Sequence, residues 1–302
     1  MFPFTFIKTP NPLYEYERKR IRWLSDPRQL TRYTLILMIA AFVVSGMVDL
    51  ALRNDPTLFF RRPRAVFNVN TFTSPITGLT DLSTATGIVI GFYYMFVAMR
   101  SVNQDVQSGK WDSLRLTLVG EDDLVKAKYA IAQIRAWRFM VLYMVLAILV
   151  AMLGFVTPLR PFFNTPDGLV NIVTLTRLVT VIGAILEPIW IMQALTALGL
   201  MIGLLVRGVI NGLALIFMAL IGLQLIQNAI TILLNLISRA ILFSSFQYAR
   251  YGGTPISFTE RSMIQLGITV LTIVISFGLY LLVQRIGLVT AFRAAYTAES
   301  AL

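Results

Sequence analysis

Apolar residues in this chain gather into long unbroken runs instead of alternating with polar ones. A run of about 20 such residues matches the ~30 Å hydrocarbon core of a bilayer at 1.5 Å rise per residue. Six runs of this kind stand out, at 33–52, 82–99, 139–159, 178–205, 208–236 and 263–284. The pattern predicts an all-α polytopic membrane protein with six transmembrane helices. The first and third runs carry one charge between them, Asp49, and the fourth and fifth are separated only by Arg207 and Gly208, which predicts a helical hairpin. The first run begins at residue 33, too late for a cleavable signal peptide. The chain therefore divides into an N-terminal segment, 1–32, and one membrane domain, 33–302.

The segments between the runs set the orientation. Counted on alternate sides, Lys and Arg number seventeen on the side holding both termini and the 100–138 loop, and nine on the other. The positive-inside rule then puts both termini and that loop in the cytoplasm, and the chain in the plasma membrane. Residues 237–262 become an external polar insertion, interrupted by Ser244, Ser245, Gln247, Arg250 and Glu260, with a partly re-entrant course open to it. Ahead of the first run, Arg18, Lys19, Arg20 and Arg22 sit among Tyr14, Tyr16 and Trp23. This is the composition of an interfacial amphipathic helix, with lipid contacts through Arg18, Lys19, Arg20, Arg22 and Trp23. It is equally the composition of an ordinary positive-inside flank.

Composition narrows the chemistry. The 302 residues are 57% hydrophobic and 14% charged, against roughly 25% charged in a soluble domain. The formal charge of +11 lies beside apolar runs, where lipid headgroups account for it and nucleic acid is not needed. The chain has no Cys and no His, which removes disulfides, the usual zinc and haem sites and His acid–base catalysis. No phosphate-binding loop is present: Gly109-Lys110 is preceded by Gln104 where the first glycine belongs and followed by Trp111 where Ser or Thr is required. The expectation is a chain that is not an enzyme and carries no cofactor or metal.

Between the second and third runs, Trp111, Leu114 and Leu118 recur on one face of a short helix, with Gly109 before it and Gly120 after it. Glu121, Asp122 and Asp123 then open a second helix, where carboxylates complement the positive end of its dipole. This compact helix–turn–helix suits a soluble docking partner; the alternative is a charged loop lying on lipid. The segment resembles the ABC-2 type transporter permeases, whose loop at this place runs acidic-Arg-Glu-x-Gly-Thr-x-Glu-x-Leu, then Thr-Pro-x-Ser, then Glu-Ile-x-x-Gly-Lys. This chain supplies Asp105, Gly109, Asp112, Leu114, Thr117, Asp123, Leu124 and Lys128, and departs at Val106, Gln107, Lys110, Leu118, Gly120 and Ala127. The resemblance extends to the layout of interfacial helix, six spans and external insertion. It implies a coupling helix that docks a separate ABC ATPase subunit through Gly109, Lys110, Trp111, Asp112, Leu114, Arg115, Thr117, Asp123 and Lys128. It also implies a second permease chain, as homodimer or heterodimer.

Two polar features lie inside the runs. Glu187, followed by Pro188, is an ionisable residue at membrane depth, where such groups face protein or an aqueous path. Gln224, Asn228, Thr231 and Asn235 follow steps of four, three and four, so they share one helical face, with Gln227 close by. Such a stripe serves either as glue between helices, including those of two permease chains, or as a translocation surface. An ATP-independent carrier or channel, and a structural subunit of a membrane energy-conversion complex, remain the competing functions.

Overall fold

A computed structural model describes residues 12–20, 32–40, 43–44, 47, 75–115, 120–154, 167–206, 208–250 and 258–297. Its described residues are helical apart from short turns. In chain order the helices are α1 (Pro12–Arg20), α2 (Pro75–Gln107), α3 (Lys110–Arg115), α4 (Glu121–Gly154), α5 (Asp167–Leu205), α6 (Val209–Arg250) and α7 (Phe258–Thr297). Five of them, α2 and α4 to α7, are long and apolar enough to cross a membrane. Residues 33–40 of the expected first span are helical, and most of the rest of that span lies outside the described residues.

Glycines close the two tight turns. Gly109, at φ 67°, ends α2 in the left-handed conformation that glycine adopts without a Cβ penalty. Gly208, at φ 137°, turns the α5–α6 hairpin, and its carbonyl accepts from Gly212 N at 3.1 Å to start α6. Gly120 starts α4 similarly, accepting from Asp123 N at 3.0 Å and Leu124 N at 3.1 Å.

All five long helices run past their expected spans at one end or both, and three do so most clearly. Helix α4 begins at Glu121 instead of 139, α7 runs on to Thr297, and α6 runs unbroken to Arg250. The 42 residues of α6 extend about 63 Å at 1.5 Å each, roughly twice a hydrocarbon core. Residues 237–250 of the expected insertion are therefore a helical extension of α6, not a separate re-entrant piece, and 251–257 lie outside the described residues.

Helix α5 is the centre of the bundle, packing on α2, α4 and α7. It meets α2 at backbone contact distance, because a Cβ on Gly199 would stand 2.3 Å from the Met95 carbonyl oxygen. Small residues permit such close crossings in membranes, where lipid gives apolar side chains no reason to bury. The outer faces of α6 and α7 carry exposed Ile210, Met218, Val274 and Leu282, the apolar coat that lipid covers. Tyr129 ties three helices together: its hydroxyl donates to Gln193 O at 2.9 Å and accepts from Gln284 Nε2 at 3.0 Å.

Candidate functional site: a cavity around Glu187

The two intramembrane polar features meet at one place. A cavity of about 480 Å³ opens among α2, α4, α5, α6 and α7. Glu187 lines it from α5, and Gln224, Gln227, Asn228 and Thr231 line it from α6. The steps of three and four that put the stripe on one face thus aim it at the Glu187 side of the bundle. Asn235 is not among the lining residues, and its side chain lies outside those described.

Among the described residues Glu187 makes no hydrogen bond and no ion pair. The hydroxyls of Tyr143 on α4 and Tyr280 on α7 stand within its electrostatic reach. A charged residue at membrane depth costs at least ~2.5–3.5 kcal/mol on insertion scales, so an unpaired carboxyl is kept only where something compensates it. Pro188, next to it, lies inside the unbroken helix α5. Its ring removes one backbone donor and frees a carbonyl of the preceding turn.

The stripe does little to join helices. Gln224 Nε2 donates to Asn228 Oδ1 at 3.2 Å, and Thr231 Oγ1 donates to Gln227 O at 2.9 Å, both within α6. Only Gln227 reaches across, donating to the Tyr280 hydroxyl. Asn228 and Thr231 remain exposed. The rest of the wall is mostly Leu and Ile, with rings from Tyr143, Trp190, Phe217 and Tyr280; behind it Trp190 packs on Phe277 with ring centroids 4.7 Å apart, and Phe217 on Phe92 at 5.0 Å. The sequence reading missed Tyr143, Trp190 and Tyr280. Trp190 carried a signal, since it lies three residues after Glu187 and so on the same helical face.

The other candidate site, around α3, is arranged differently from the expectation. Trp111 is 4% exposed and packs with Val102, Leu124 and Tyr129, so it anchors α3 to the bundle instead of presenting a docking side chain. Lys128 is 3% exposed. Its ammonium is held by Glu17 of α1 and Asp105 of α2, while Arg135 Nη2 lies 3.6 Å from Glu17 Oε2. Lys128 is thus a buried clamp, not a surface contact. Leu114 is half-buried, Gly109 and Lys110 are exposed, and Asp123 pairs with Lys126 at 3.6 Å. The side chains of Asp112 and Arg115, and Thr117 as a whole, lie outside the described residues.

Comparison with protein-family models, curated proteins and solved structures gives no match.

Helix α1 was expected to lie on lipid. Its Lys19 is exposed, but Glu17 is buried against α4, so one face of α1 is a protein contact. The side chains of Arg18 and Arg20, and residues Arg22 and Trp23, lie outside the described residues. Among the described residues no three Asp, Glu, His or Cys side chains gather as a metal would require.

Proposed function

We propose that the chain is the membrane-spanning permease subunit of an ATP-driven exporter, paired with a second permease chain and powered by a separate ATPase subunit. The cavity around Glu187 carries the reading. An unpaired carboxyl lining the same open space of 480 Å³ as a polar stripe is costly as packing and useful as part of a translocation path. Support from the α3 end is mechanical. Trp111 fixes α3 to α2, α4 and α5 through one apolar cluster, so a push on α3 reaches α5, the helix that bears Glu187. In this reading α3 is cytoplasmic and its exposed side, around Lys110 and Ser113, receives the ATPase.

Charge reversal at Lys110 (Lys110→Glu), combined with Ser113→Asp, touches none of the buried contacts. The variant should insert and melt like the parent but lose co-purification with the ATPase in mild detergent. Full ATPase capture and full ATP-driven transport by that variant would defeat the docking assignment. The unpaired Glu187 also suits an ATP-independent, ion-coupled carrier. Transport by the purified chain alone in liposomes with an imposed ion gradient, and no ATPase present, would favour that second reading.

A further inference from the structure

We infer that the Glu187 cavity takes an amphiphilic organic cation, an assignment that rests on reading the cavity as a substrate path. Glu187 is the only charged residue among the described residues that line the cavity. With no Lys or Arg paired to it among the described residues, the carboxyl when ionised favours positive over negative charge. Four aromatic rings, those of Tyr143, Trp190, Phe217 and Tyr280, stand among the Leu and Ile side chains of the walls. Desolvated cations are drawn to the faces of such rings, Trp most strongly.

The lining does not suit a small metal ion. Hard cations take about six to eight oxygen ligands, whereas here one carboxylate faces a wide space, and no acidic cluster exists among the described residues. A bare proton needs neither the rings nor the volume, which falls within the ~300–1,000 Å³ of small-molecule sites. The Gln224–Asn228 pair and Thr231 add neutral hydrogen-bonding groups to the same lining. The occupant that uses all three features carries one positive charge, an apolar body and a polar substituent.

The full chain purified in a non-ionic detergent provides the test, with tetraphenylphosphonium as the cation and tetraphenylborate as an anion of the same shape. Equilibrium dialysis should give a saturable cation-binding component that tetraphenylborate does not displace. Glu187→Gln should weaken it by about tenfold or more, the scale of one lost charged contact, and Glu187→Asp should largely restore it. A variant-free measurement guards against misfolding: labelling of Glu187 in the wild-type chain by dicyclohexylcarbodiimide, read by mass spectrometry, should be slowed by tetraphenylphosphonium and not by tetraphenylborate. Equal cation affinity in the folded Gln variant, equal competition by the anion, or absence of protection would each overturn the inference. ATPase capture requires no cation, so lost cation binding with retained capture sinks this inference alone, and the converse result sinks only the permease reading.

Discussion

Two places in this molecule hold ionisable groups away from water, and they treat them in opposite ways. At the α3 end, Lys128 and Arg135 face Glu17 and Asp105, so two cations meet two carboxylates drawn from three helices. In the other half of the bundle Glu187 stands beside a cavity with no ion-pair partner among the described residues. Burial penalises a charge in both places, and only the first repays the penalty inside the protein. A neutralised cluster is what a clamp needs, because it holds α1, α2 and α4 in one arrangement. A carboxyl left unmatched is what a binding site needs, because a ligand then supplies the missing partner.

Removing one ionisable side chain from each place should have opposite effects on stability. Lys128→Ala leaves Glu17 and Asp105 facing each other without their cation. Removing one member of a buried pair costs about 3–5 kcal/mol, so thermal unfolding in detergent should fall steeply and α1 should become accessible to protease. Glu187→Gln removes a charge that has no protein partner and should leave the unfolding midpoint unchanged or raised. If the two variants lose equal stability, Glu187 is structural after all and the contrast collapses.

A smaller effect is expected from backbone spacing. Gly199 lies where α5 touches α2, and a Cβ there would come within 2.3 Å of Met95 O and 2.8 Å of Met95 Cα. Backbone cannot yield as a flexible side chain does, so Gly199→Ala should cost about 1–3 kcal/mol by forcing the helices apart. Gly222, on the α6 side, has nothing within 4 Å of its would-be Cβ. There Gly222→Ala should be neutral or stabilising by up to about 1 kcal/mol through helix propensity. Equal melting of the two alanine variants would mean that α2 and α5 are not in the close contact described.

The apolar runs made the helices legible, but hydropathy marks where lipid begins, not where a helix does. Helix α4 extends eighteen residues ahead of its expected span because the buried Lys128 satisfies its charge on Glu17 and Asp105, while the partly exposed Arg135 pairs with Glu17. That same pairing is why Lys128 was misread: its partner Glu17 lies 111 residues away, and no local pattern announces it. Trp111 and Leu114 were correctly seen to share a face, yet which way the face points depends on α4 and α5, which the segment itself does not encode. Glu187 and the α6 stripe were each visible because polar groups in apolar runs are conspicuous. Their meeting was not visible, since it depends on how α5 and α6 pack after the turn at Gly208. Tyr143 and Tyr280 gave no signal at all, because an aromatic ring in an apolar run reads as core until its hydroxyl is seen beside a cavity.

The smallest effect concerns the α6 stripe, where joining helices and lining a cavity make different demands on neighbouring residues. Gln227 donates to Tyr280 of α7, whereas Gln224 and Asn228 bond to each other along α6. Hydrogen bonds between helices in membranes contribute only ~0.6 kcal/mol on average and up to about 1.7 kcal/mol, because the separated helices find other partners in the bilayer. A double-mutant cycle of Gln227→Leu with Tyr280→Phe should therefore return a coupling energy of about that size in detergent unfolding. The same cycle between Asn228→Leu and Tyr280→Phe should return none, since Asn228 has no bond to α7 to lose. Asn228→Leu should instead change what the cavity accepts while leaving the unfolding midpoint in place. Coupling of equal size in both cycles would mean that the whole stripe is glue, and the α6 wall of the cavity would then have no binding role left to explain.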